Sequence, residues 1–369
     1  MAREWFRAPA VGALAMAVVS TLLGSLALKV FGARGPGSVQ AQFAEQPFIH
    51  MWMAWDAGWY EEIAERGYSY STTRQSAVAY FPLYPLLMRA MVVLGFNAFI
   101  AGIALTVTFG ALAVRSFTRW AECFMQPEPA SRARWVLLLW PLAFYLYGAI
   151  YADALFLCLI STAFWQLEQG HLGRATVLGA LATATRPLAP AVVLGLLIRQ
   201  LELKRRRREP LTLTDFAPVL SCAGLLAYML FLQLRFDDPL AFLHAQAGWG
   251  QTPGLHTVFK LGLFERAKRA SDFVLPGIHL GLALITLAST RAVGRRFGWG
   301  YAAYVLLAVG LPLISSRDCI GLGRYALAAF PAFAAISLEL ENRPRLRGAW
   351  RAENGRSGSG LDGSSVGSG

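Results

Sequence analysis

The sequence predicts an all-α integral membrane protein, a polytopic helical bundle of about ten membrane segments. Three observations predict it. Of the 369 residues, 56% are hydrophobic and only 15% charged, with a mean hydropathy of +0.44, a composition outside the range of ordinary soluble domains. Uncharged runs long enough to enter a bilayer recur along the chain. The basic residues behind the formal net charge of +12 fall in short clusters between those runs, as cytoplasmic loops require, so the bilayer is the expected partner and nucleic acid is not.

Residues 1–7 are basic and aromatic, and residues 8–28 form an uncharged run that can cross about 30 Å of hydrocarbon. The run exceeds the apolar core of a signal peptide, about 7 to 15 residues, and reads as an uncleaved first span with a cytoplasmic N-terminus. Further apolar runs cover residues 98–114, 135–150, 154–167, 175–197, 216–234, 273–290, 299–315 and 325–338, while residues 80–95 form a short run interrupted by Arg89.

Two of these runs are ambiguous, and the bias of Lys and Arg towards the cytoplasm chooses between the readings. If residues 80–95 cross the membrane and residues 175–197 form a single helix, Arg115, Arg119, Arg132 and Arg134 face outside. If the first is re-entrant or interfacial and the second is a hairpin broken at Thr185-Arg186-Pro187, those four arginines fall inside. So do His171 with Arg174, Lys204 to Arg208, Arg291 with Arg295 and Arg296, and the arginines from Arg343 onward. The second reading is the consistent one. Its break has a local cause, because Pro187 disfavours helical backbone at Arg186 and donates no amide hydrogen. Broken helices at membrane depth line a protein or water cavity, which places Arg186 at an internal site.

On this topology three pieces lie outside: residues 32–96, the turn near Tyr151-Ala152-Asp153, and residues 235–271. Asp56, Asp153 and Asp238 then share one side. A helix over residues 55–66 would put Trp55, Trp59 and Ile63 on one stripe, giving an interfacial helix whose tryptophans form an aromatic belt. Asp56, at the start of that helix, reads either as a helix cap or as a carboxylate for chemistry on a substrate that arrives through the bilayer. Residues 1–340 read as one transmembrane domain. Residues 341–369 turn to Arg, Gly and Ser and read as a disordered cytoplasmic tail.

Several pieces in this order resemble the PIG-V-like mannosyltransferases, multi-pass glycosyltransferases of the GT-C fold. They are Trp55-Asp56-Ala57-Gly58-Trp59-Tyr60 with Gly67-Tyr68; Phe81-Pro82-Leu83-Tyr84-Pro85; Pro141 with Phe144 and Tyr151; Thr185-Arg186-Pro187; Asp238-Pro239-Leu240-Ala241-Phe242 with Gln246 and Trp249; and Arg324-Tyr325 with Phe330-Pro331. The resemblance implies transfer of a sugar, with mannose the expected one, from a polyprenyl-phosphate donor to an acceptor hydroxyl at the external face with inversion. The acceptor is a lipid, a glycan or a protein, and the expected location is a bacterial inner membrane. By the family pattern Asp56 is the essential acidic residue of the first external loop and Asp153 the second acidic residue. Here the sequence departs from the pattern, with Ala152-Asp153 where PIG-V proteins carry Glu in a Ser-x-Glu context.

Inverting transfer to a hydroxyl needs one base, whereas a phosphate leaves as a stable anion without an acid. Asp56 and Asp153 are the catalytic candidates, the alternative for Asp153 being a turn residue or helix cap. Arg186 has the planar fork that suits phosphate oxygens, with a structural salt bridge to Asp153 as the alternative. Arg324 is a second phosphate candidate or a snorkelling anchor. Trp55, Trp59, Tyr60, Tyr84, Gln246, Trp249 and Tyr325 are the candidate substrate contacts. Asp237-Asp238-Pro239 reads as a turn more readily than as a metal pair. No metal or cofactor is expected, since Cys123, Cys158, Cys222 and Cys319 are scattered and the five histidines lack HxxxH spacing. A transporter or flippase of lipid-linked sugars is the rival reading, though it would commonly carry paired broken helices in inverted repeats.

Overall fold

The computed structural model describes residues 9–31, 46–251, 254–266 and 270–341. The expected cytoplasmic N-terminus, the start of the first external loop and the tail beyond residue 341 lie outside the described residues. Among those residues every regular element is helical. The principal helices are α1 (Pro9–Phe31), α2 (Ala57–Arg66), α3 (Leu83–Val93), α4 (Ala98–Ala121), α5 (Pro127–Leu138), α6 (Asp153–Glu168), α7 (Leu172–Thr183) and α8 (Ala189–Arg207). They continue with α9 (Ala223–Phe236), which follows a 3-10 stretch over Leu213–Cys222, and with α10 (Ala270–Ala288), α11 (Thr290–Arg296), α12 (Trp299–Ser315), α13 (Leu322–Ala328) and α14 (Pro331–Glu341). Among the described residues four helical stretches are long and apolar enough to cross a membrane: Pro9–Leu28, Ala98–Ala121, Leu213–Phe236 and Phe273–Arg296; α3 and α12 are shorter apolar helices. The chain is a polytopic helical membrane protein.

The helices run back and forth between two ends. At one end the Arg199 guanidinium grips Glu168 through two bonds of 2.6 and 2.9 Å, and the Tyr301 hydroxyl donates to the same carboxylate at 2.7 Å. Glu202 accepts the first amide of α12, from Trp299, at 2.6 Å, and Arg132 pairs with Glu341 at 2.8 Å. The last turn of α6, the second half of α8 and the start of α12 therefore meet there, and the Arg132 pair ties α5 to the end of α14. The basic cluster of residues 204–208 ends α8 at this end, and that of residues 291–296 immediately precedes α12. At the opposite end Leu83 at the start of α3 donates its amide to Ala184 at 3.0 Å, so the short helix docks on the junction between α7 and α8.

That junction is the predicted break at Thr185-Arg186-Pro187: α7 stops at Thr183 and α8 resumes at Ala189 with a proline in its first turn, where the missing amide hydrogen is not needed. Three other expectations require correction. The run at residues 135–150 is not one helix: α5 ends at Leu138 and an irregular stretch with a 3-10 turn at Ala143–Leu146 follows, because Pro141 cannot donate to the carbonyl four residues back. The run at residues 325–338 is split at Ala329-Phe330 by Pro331, which opens α14. Trp55 stands outside α2 with left-handed backbone (φ 55°) and is 74% exposed, so it leaves the stripe with Trp59 and Ile63.

Candidate active site

Four charged side chains gather at the end marked by the α7–α8 junction, and each arrives from a different irregularity of the helices. Asp56 immediately precedes α2 and Asp153 is the first residue of α6. Arg186 sits in the proline break, and Arg324 lies in the first turn of α13 behind Gly321, whose φ of 86° is left-handed. Arg186 donates to Asp153 at 2.5 Å, with the side chains 8% and 4% exposed. Arg324 donates to Asp56 at 3.4 Å, with 22% and 26% exposed. Asp56 makes no side-chain cap bond to its helix and Asp153 makes none either, so the capping alternative fails for both. The buried pair answers to the salt-bridge alternative for Arg186, while the other pair is half-buried.

Two tyrosines interlock the pairs. The Asp56 amide donates to the Tyr151 hydroxyl at 2.9 Å, and the Arg324 guanidinium lies over the Tyr151 ring at 4.8 Å. Arg186 lies over the ring of Tyr325, the neighbour of Arg324, at 4.5 Å. A cation held against a desolvated aromatic face gains roughly 0.5–2 kcal/mol, so each arginine is fixed by a carboxylate and a ring together. Gly148, three residues before Tyr151, lets the chain lie against Trp52: its φ of 151° is closed to most side chains, and a Cβ there would stand 2.7 Å from the Trp52 ring.

Above Asp56 lies an aromatic shelf. Trp59 and Tyr80 stack with centroids 6.0 Å apart and 18° between planes, and Trp249 meets both edge-on at 5.9 and 6.0 Å. Trp249 reaches this place because Gly248 lets the 3-10 turn Ala245–Trp249 press on the chain at Arg74 and Gln75; a Cβ there would stand 2.5 Å from the Gln75 amide nitrogen. Tyr60 packs edge-on against Tyr80, Tyr84 and Tyr151. Burial pushes its phenol well above the usual range; Arg324 and Arg186 oppose the shift, while Asp153 and Asp56 add to it. The Tyr80 phenol is raised by burial and then by the Asp56 carboxylate beside it.

Of the predicted site residues, the structure brings together Asp56, Asp153, Arg186, Arg324, Tyr325, Trp59, Tyr60 and Trp249. It leaves three apart. Trp55 points away, Gln246 turns its amide back to the Phe242 carbonyl at 3.4 Å, and Tyr84 is fully buried with its hydroxyl on Gly102 and Thr106. Tyr84 thus packs under Tyr60, with its ring fully buried. Asp238 caps its own turn, accepting from Leu240, Tyr70 and His244; these bonds lower its pKa against the opposing effect of burial, as the turn reading required. Tyr80 and Tyr151 are site residues that the sequence reading misses, although Tyr80 immediately precedes the piece at residues 81–85 and Tyr151 belongs to the piece with Pro141 and Phe144. Among the described residues no three His, Cys, Asp or Glu side chains converge as metal ligands.

The mannosyltransferase (PIG-V) family model matches residues 18–233, more than half of the chain. The match includes Asp56, Asp153 and Arg186, and ends before Trp249 and Arg324. Comparison with curated proteins gives no match.

Proposed function

Because the chain belongs to the PIG-V mannosyltransferase family, and so is a glycosyltransferase, we propose that it moves mannose from a polyprenyl-phosphate donor to an acceptor hydroxyl at the external membrane face. The observation that carries the proposal is the interlocked set of two carboxylate–arginine pairs beneath an aromatic shelf. Carboxylate, fixed cations and flat apolar rings are the three groups the reaction calls for. The acceptor oxygen attacks the anomeric carbon and gives its proton to Asp56, the more accessible carboxylate. The bond from that carbon to the phosphate oxygen breaks on the opposite face, inverting the centre. The polyprenyl phosphate departs as an anion held by Arg324 and Arg186, whose charge stabilises the leaving oxygen as it develops. Trp59, Tyr80 and Trp249 hold the sugar by its apolar face.

The same reading places the site within a GT-C bundle over residues 1–340, with about ten crossings, the helices of the first external loop at the interface and residues 341–369 as a cytoplasmic tail. Support comes from the gathering of basic clusters at the end away from the site, which matches a cytoplasmic face. The expected setting is a bacterial inner membrane, and the acceptor a lipid, a glycan or a protein. The second break, at Ala329-Phe330, removes the helix-break argument against the transporter alternative; family membership decides against it. Purified protein with labelled polyprenyl-phosphate mannose and a membrane extract tests the proposal. Release of polyprenyl phosphate together with labelled acceptor is expected. Donor that crosses sealed vesicles without being consumed would overturn it.

A further inference from the structure

A cavity of about 590 Å³ lies at the opposite end of the molecule, where α10, α11 and α14 meet. Its wall is apolar, from Ile285, Ala288, Ala292, Ile336 and Leu340, and its rim carries Arg291, Arg295 and Arg296 with Glu339. Ile285 and Leu340 are exposed to the surroundings of the bundle. The three arginines are exposed as well, and none pairs with Glu339 or any other carboxylate among the described residues. Helices α10 and α11 belong to one membrane-length stretch, Phe273–Arg296. Its apolar part ends beside the cavity, and the arginines follow within two turns.

We propose that this cavity binds one anionic phospholipid of the bilayer, with a phosphatidylglycerol-type phosphate on Arg291, Arg295 and Arg296 and an acyl chain along Ile285, Ile336 and Leu340. Three cations against one carboxylate favour an anion over a zwitterion. The apolar wall directly below the rim fits an acyl chain attached to that anion and offers nothing to a free phosphate. Anionic phospholipids present their phosphates at headgroup depth, and basic pockets between membrane helices bind such headgroups. The chain's own continuation past Glu341 does not suit the rim, because residues 342–356 carry five arginines and one glutamate. The site stands apart from the carboxylate–arginine pairs and does not depend on the proposed reaction.

Delipidated protein titrated with phosphatidylglycerol, phosphatidylcholine or inorganic phosphate, with bound lipid read by native mass spectrometry, tests the proposal. Each arginine at headgroup depth contributes a factor of about five. The variant with Arg291, Arg295 and Arg296 all changed to Gln should therefore bind phosphatidylglycerol on the order of a hundredfold more weakly. The control changes the exposed Arg205, Arg206 and Arg207 to Gln and should bind as the parent does. Equal losses in the two variants would mean general charge attraction and overturn the site. Equal binding of phosphatidylcholine, or competition by inorganic phosphate at the same concentration as the lipid, would overturn it too.

Discussion

Replacing Arg186 with Ala separates a structural role from a chemical one, because the residue is predicted to serve both. Asp153 is 4% exposed, and among the described residues Arg186 is its one salt-bridge partner, at 2.5 Å. At an effective dielectric of about 20, charges at that separation attract by roughly 7 kcal/mol before any desolvation is subtracted. Removing one partner of a buried pair costs about 3–5 kcal/mol, because the remaining charge stays in low dielectric without compensation. Arg186→Ala should therefore lower stability by about 3–5 kcal/mol, read by reversible unfolding in mixed detergent micelles. Arg186→Lys should restore most of that loss by returning the charge, yet only part of donor turnover, since an ammonium cannot present two parallel donors to phosphate. The double variant Asp153→Asn/Arg186→Met leaves no unpaired charge and should recover stability while remaining inactive. An Ala variant within about 1 kcal/mol of the parent would refute the buried-pair argument. Full turnover in the stable double variant would remove Arg186 and Asp153 from the reaction.

Asp56→Asn should insert, fold and bind donor while turning over on the order of a hundredfold or more slowly, the scale of a missing general base. Asp56→Glu should recover little, because a displacement of about 1 Å can itself cost a hundredfold; near-normal turnover of the Asn variant would move the base elsewhere. Glu61 is pushed up to about 7 by burial and then by repulsion from Glu65. Its folded form thus retains a proton that the unfolded chain gives up near the ordinary value of 4.5, and stability must fall as pH rises from about 4.5 to about 7. Melting temperatures at pH 5 and pH 8 should differ less in Glu61→Gln than in the parent, and an unchanged difference would contradict the sign. In a cysteine-free chain, Thr72→Cys and Glu209→Cys should label from opposite faces of sealed vesicles; labelling from one face would reject the two-ended topology. Turnover should survive removal of divalent cations by chelator, because Arg186 and Arg324 supply the positive charge at the phosphate; rescue by added magnesium or manganese would contradict this.

Hydropathy and local chemistry made much of the architecture legible. The apolar runs at residues 98–114, 154–167 and 299–315 became α4, α6 and α12 because an apolar run at membrane depth must satisfy its backbone internally, which a helix does. Pro187 broke the α7–α8 hairpin for a reason confined to two residues. The same proline rule was available at Pro141 and Pro331, but hydropathy cannot register a missing hydrogen bond inside an uncharged run. At the candidate site the sequence singled out Asp56, Asp153, Arg186 and Arg324 by charge in apolar surroundings, and could not pair them. Asp56 and Arg324 lie 268 residues apart, and Asp153 and Arg186 lie 33 apart. Tertiary packing alone decided which carboxylate met which arginine, which tyrosine carried each cation, and that Trp55 turned outward while Tyr84 went inward. Composition and spacing act through neighbours along one helix, whereas these contacts depend on the relative placement of α2, α6, α13 and the break, which only the packed bundle fixes.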